Sequence, residues 1–229
     1  MSAVLGAVVL EPSGMNKAER RQALLRAARD VFATKGYHDA KVDDIVALAK
    51  VAKGTFYLYF PDKRSVFSEL VDMLFARLGA AILTVDPAAD VDAQIKHNIR
   101  ATVAVFLDDP ALTKILLSHA TGMDPAFVSK IRSFYDGVKL MLSSSLAEGQ
   151  RLGIVAAGDT KLFATFAIGA LKELLAENVG GETPLGREEM VDALFSFLQA
   201  GYLRTVPAGR QAASAPPAAG ARTRGGRRR

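Results

Sequence analysis

An all-α fold of about nine helices is predicted for this 229-residue chain, on three observations. Apolar residues recur at helical spacing along most of its length, strand signals are absent, and Asp-Pro, Gly and Asp-rich breaks divide it at helix-length intervals. No stretch sustains an apolar–polar alternation and no Asn-Gly hairpin turn occurs. The breaks place helices near 16–35, 42–49, 53–59, 63–83, 89–107, 110–121, 125–152, 159–178 and 187–205. No internal repeat is visible.

The first helix ends around Gly36-Tyr37. In the second, Val42, Ile45, Val46 and Ala49 fall at i, i+3, i+4 and i+7 and form one apolar stripe. A break follows at Lys50–Val51, and Phe56 and Phe60 repeat the four-residue step on a third helix. Lys53, Thr55, Tyr57 and Tyr59 are left facing outward. A helix pair whose second member shows a cation, a hydroxyl and two phenols is suited to a phosphate-lined groove. The plain alternative is a helical hairpin with an aromatic core and a solvated charged face.

Each position in that pair has a physical role to offer. Lys53 begins the third helix, where unpaired N–H groups and the positive end of the macrodipole already favour an anion. Gly54 lacks a Cβ and would let the helix backbone approach a duplex closely; its propensity cost of ~1 kcal/mol argues against mere helix filler. Thr55 donates to or accepts from a base edge or a phosphate. Lys63 opens the next helix as a further candidate backbone clamp.

The stretch from Arg20 to Phe67 closely resembles the DNA-binding region of the TetR/AcrR family of transcriptional regulators. The matching residues are Ala27, Phe32, Gly36 and Tyr37, then Val42, Asp44, Ile45, Ala49 and Val51. They continue through Lys53-Gly54-Thr55-Phe56-Tyr57-Leu58-Tyr59-Phe60 and end at Lys63. The resemblance implies a three-helix helix-turn-helix domain over 15–62, followed over 63–206 by a helical effector-binding and dimerisation domain. It also implies phosphate or groove contacts for Tyr57 and Tyr59. Three positions depart from the usual pattern. Lys41 and Ala52 replace Ser or Thr at helix starts, and Ala at an N-cap costs ~1 kcal/mol. Lys41 exchanges capping for a possible phosphate contact, while Asp44 still supplies negative charge to that first turn. Lys50 stands where many relatives have a turn glycine, so a positive φ there would strain it.

Charge is distributed in support of one nucleic-acid-facing end. Residues 1–64 hold eleven Lys and Arg against seven Asp and Glu, whereas 65–206 hold twelve against seventeen. Residues 207–229 hold six Arg and no acid. The positive excess thus sits at the helix-turn-helix end and in the tail. The tail, rich in Ala, Pro, Gly and Arg, is expected to be disordered, adding nonspecific phosphate attraction or serving only as a solubilising extension. Residues 1–14 are expected to be a flexible leader. Their apolar run Ala3–Leu10 has no basic segment before it and is too short to span a bilayer. With no cysteine in the chain, disulfides and thiol chemistry are excluded, and a cytoplasmic location is expected.

The last two long helices speak to assembly. Leu162 to Leu171 is apolar nearly all round, with small residues at Ala164, Ala167, Gly169 and Ala170, and the helix from Met190 to Tyr202 has a wide apolar face. The resemblance implies that they pair with a second copy as a four-helix interface, with Phe163, Phe166, Ala170, Leu194, Phe195 and Leu198 as candidate contacts. A monomeric core helix is the alternative. Between these helices and the first domain, His97, Arg100, His119 and Tyr135 are polar groups in apolar stretches. They are candidates to converge on an effector walled by Phe106, Phe127, Phe134 and Phe166; each also fits as a surface or satisfied interior residue.

An enzyme is not supported. His38, His97 and His119 are scattered, no HExxH or ExxH spacing occurs, and no nucleophile elbow or phosphate-cradling glycine loop is present. No metal or cofactor is expected. The resulting expectation is a dimeric regulator that binds a palindromic duplex operator and is released from it by a small, largely apolar effector, without membrane association. A constitutive or architectural DNA binder is the alternative.

Overall fold

The computed structural model describes residues 16–117, 125–181 and 184–204. These form α1 (Lys17–Lys35), α2 (Val42–Ala49), α3 (Lys53–Tyr57), α4 (Lys63–Ala81), α5 (Val91–Leu107), α6 (Pro110–Leu117), α7 (Pro125–Arg151), α8 (Thr160–Gly180) and α9 (Arg187–Gly201). Among the described residues there is no strand, only a single antiparallel bridge between Val155 and Leu203. The fold is all-α. The leader 1–14, His119 and the tail 207–229 lie outside the described residues.

Side-chain caps begin most of the helices. Asn16 and Glu19 form a reciprocal capping box at α1, each accepting from the other's backbone N–H. Asp62, Asp90 and Asp159 cap α4, α5 and α8 through backbone N–H groups of the first turn. Asp109 does the same for α6, whose first residue, Pro110, has no N–H to satisfy. The α2–α3 pair lacks these aids. Lys41 offers no side-chain cap, and Asp44 instead reaches back to the Lys41 N–H at 3.0 Å. Ala52 caps nothing. Lys50 closes α2 in the left-handed region, at φ 54° and ψ 44°, so the strain expected of a non-glycine residue there is present.

Three helices stop two or more residues before their expected ends, while α8 runs two beyond, to Gly180 rather than 178. The third helix stops at Tyr57 rather than 59, because the N–H groups of Tyr59 and Phe60 both turn onto the Phe56 carbonyl ahead of Pro61, a residue that disfavours helix before it. The fourth helix ends at Ala81 rather than 83. Beyond it the Asn98 side chain pins Leu83, accepting from its N–H and donating to its carbonyl. The last helix ends at Gly201 rather than 205, since the chain turns to bond Tyr202 and Arg204 against the backbone at 154–156.

One apolar core runs from α1 through to α9, and a smaller one gathers Val91, Leu146, Ile154, Val155, Ala164 and Tyr202. The larger core crosses the boundary expected at 62/63, because Val66, Phe67 and Leu70 of α4 complete the packing of α1 and α2. An aromatic cluster marks the junction. Phe127 of α7 stacks on Tyr37 at 4.5 Å and on Phe67 at 4.4 Å, with Phe32 beside them. Arg29 of α1 reaches Asp109 at the start of α6 at 3.4 Å, and Arg21 pairs with Glu69 of α4. The N-terminal head is therefore fastened to the bundle by packing as well as by charge.

Candidate nucleic-acid interface and interior cavity

The inward residues of the head fix what faces outward. Ile45, Val46, Val51, Phe56 and Phe60 are buried, so α3 turns its other side to solvent. Lys53 and Gly54 are exposed there, Thr55 is half-buried, and Tyr57 stands edge-on to Phe56, half its surface free. A Cβ on Gly54 would meet nothing within 4 Å. The protein's own packing therefore gives no reason for glycine at that position. Lys53 pairs with Asp43 at 2.7 Å, and the carboxylate raises the ammonium pKa. Asp44 is engaged by Lys35 at 2.6 Å, which with the Lys41 N–H lowers its pKa. Lys41 itself is exposed.

Two expected contacts are placed differently. Tyr59 is half-buried and packs against the core. Lys63 turns inward: its ammonium donates to the carbonyls of Tyr37, His38 and Ala40 at 2.8–2.9 Å and lies 4.7 Å from the Tyr37 ring centre. As it stands, Lys63 ties α4 to the α1–α2 loop rather than offering a charge to a phosphate. Leu58, 80 % exposed at the end of α3, sits midway between the inward Phe56 and Phe60, and that spacing was the available signal of its exposure.

In the bundle, a cavity of about 530 Å³ opens among α4, α5, α6, α7, α8 and α9, with Tyr202 and the turn at 152–155 also in its wall. Its wall is mainly aliphatic. Phe106, Phe134 and Tyr135 line it, as expected for them. Of the other expected residues, His97, Arg100, Phe127 and Phe166 do not, and His119 lies outside the described residues. His97 is exposed on α5. Arg100 is held in a two-pronged pair with Glu188, both contacts at 2.7 Å, with its pKa raised by that partner. Phe127 belongs to the junction of head and bundle. Phe166 is 56 % exposed on the outer side of α8. Aromatic and polar residues are the expected lining, whereas the space is framed mostly by Leu, Ile and Val.

The candidate interface residues also divide. Phe166 is open to solvent and Ala170 half-buried. Phe163 stacks on Tyr202 at 4.8 Å, and Leu198 faces the cavity. Leu194 and Phe195 are closed inside their own chain, at 4 % and 6 % exposure, so a charge placed there tests folding, not assembly. The exposed apolar side chains on these helices are Leu162, Phe166 and Phe197. Gly169 lies on the same outer side of α8 as Leu162 and Phe166, and a Cβ there would meet nothing within 4 Å.

No group of three or more His, Cys, Asp or Glu among the described residues is arranged to hold a metal, and no described helix is long and apolar enough to cross a membrane. The sequence profile of bacterial regulatory proteins of the tetR family matches residues 24–70. The chain is 33 % identical over 140 residues to the uncharacterized HTH-type transcriptional regulator YdgC of Bacillus subtilis, covering 59 % of this chain and 68 % of that protein. It is 25 % identical over 162 residues to the fatty acid metabolism regulator protein of the same organism, covering 69 % and 82 %. A crystal structure of a TetR-family transcriptional regulator from Syntrophomonas wolfei superposes with a TM-score of 0.69 at 25 % identity, covering 81 % of this chain and 95 % of the other.

Proposed function

The chain belongs to the tetR family of bacterial regulatory proteins and is a DNA-binding transcriptional regulator rather than an enzyme, and from that premise we propose that it is a homodimeric repressor released from a palindromic operator by a small, largely apolar effector. The observation that carries this reading is that the larger core backs an outward-facing α3 and also supplies part of the wall of an apolar cavity of about 530 Å³. That volume lies in the range of small-molecule sites, roughly 300–1,000 Å³. The name of the Bacillus subtilis fatty acid metabolism regulator agrees with an apolar effector class.

On this reading α3 enters the major groove with Lys53, Thr55, Tyr57 and the bare Gly54 backbone against the duplex, flanked by Lys41. Tyr59 buttresses it, and Lys63 holds the head together beneath it. The exposed Leu162, Phe166 and Phe197 seat against a second copy, and Gly169 lets the partner helix approach. An effector in the cavity binds the head spacing that cannot reach both half-sites better than the one that can. Selection of duplexes from a random pool by the full chain tests the proposal. The expected product is an inverted repeat with half-site centres ~34 Å or a multiple apart, bound by two chains. Sequence-independent binding would return the protein to the architectural alternative.

A further inference from the structure

Among the described residues two charged side chains border the cavity, Glu148 of α7 and Lys172 of α8. Glu148 is answered by Arg151, one turn along the same helix. Lys172 has no carboxylate at ion-pair distance among the described residues; its ammonium stands 5.7 Å from the centre of the Tyr135 ring. Tyr135 adds no charge of its own, because its hydroxyl donates to the Leu116 carbonyl and burial pushes its pKa up. Other polar side chains of the wall are engaged with backbone: Asn98 with Leu83, Thr102 with Asn98, Ser145 with Met141. The space is therefore an apolar chamber with, at its edge, a cation that no carboxylate among the described residues answers.

We propose that Lys172 determines specificity in this cavity, and that the effector is a monoanionic amphiphile whose hydrocarbon tail fills the apolar space while its carboxylate meets the Lys172 ammonium. The proposal rests on the reading of the cavity as the effector site. Ile168 and Leu175 lie one turn to either side of Lys172 and also line the chamber, so the lysine stem runs along apolar wall while its head stays wet. A carboxylate there gains a charge-assisted hydrogen bond. An alcohol of the same length gains only a neutral one, and a quaternary ammonium is repelled. Solvent at the mouth screens the pair, so the discrimination is moderate.

The test is calorimetric titration of the full chain with decanoate, 1-decanol and decyltrimethylammonium, repeated on Lys172→Met and Lys172→Arg. Lys172 is exposed, so both variants should keep the fold, which circular dichroism verifies. Decanoate should bind the wild type about tenfold more tightly than decanol. That preference should vanish in Lys172→Met, with decanol unchanged, and persist in Lys172→Arg. Equal binding of decanoate and decanol, a preference for the ammonium compound, or decanoate affinity indifferent to Lys172→Met overturns the anchor while leaving the cavity a binding site. Failure of all three probes to bind overturns the anchor together with the reading of the cavity as an apolar effector site.

Discussion

Lys53 and Lys63 open consecutive helices, yet their surroundings assign them opposite work. Lys53 carries an exposed ammonium held by one solvent-facing carboxylate, a pairing of little intrinsic strength that a phosphate can replace. Lys63 satisfies three backbone carbonyls at the base of the head. Lys53→Ala should weaken operator binding and reduce the salt dependence by about one unit of slope, with urea stability unchanged. Lys63→Ala should leave the salt slope alone and lower stability by about 1–3 kcal/mol, the cost of stranded polar groups. Anisotropy titrations over a salt series, paired with urea melts, check both; a lower slope in a stable Lys63→Ala would place its charge back on the duplex. The sequence located both lysines at helix starts. It could not show the carbonyls of 37, 38 and 40 converging on Lys63, because that depends on how the α1–α2 loop folds over α4.

At the scale of elements, α7 is the member that reaches from the head to the cavity. Phe127 and Phe134 are seven residues apart and share a face. The first stacks on both Tyr37 and Phe67, the second lines the cavity. A displacement of α7 by an occupant of the cavity would therefore be felt inside the core of the head. Phe127→Ala should cost about 3–5 kcal/mol, as for a buried phenylalanine whose site cannot collapse. Urea denaturation measures it, and a loss below about 1 kcal/mol would mean that the head packs without α7. Helix starts were legible where Asn16, Asp62, Asp90 and Asp159 supply caps. The end of α9 was not, because apolar Tyr202 and Leu203 continue the helical pattern while their backbone pairs with a segment near 154. Phe127 was legible as buried but not as belonging to the head, since a contact sixty residues away leaves no local spacing.

For the whole molecule, the proposed function has cavity and operator compete through the larger core, which backs α3 and lines part of the cavity. Neither the cavity nor its aliphatic wall was legible as such, since an unfilled volume is a property of how helices meet rather than of any one of them. The helix-turn-helix was legible because each outward residue of α3 follows from the burial of Phe56 and Phe60. Coupling of this kind is reciprocal: a tenfold loss of operator affinity in the presence of effector corresponds to about 1.4 kcal/mol of differential binding, and the operator must weaken the effector by the same factor. The direct measurement is calorimetric titration of the full chain with the apolar acid that most raises its thermal midpoint, performed with and without a saturating operator duplex. Effector binding should be weaker when the operator is present, by the factor by which the effector weakens the operator. Identical effector affinity in the two titrations would contradict it.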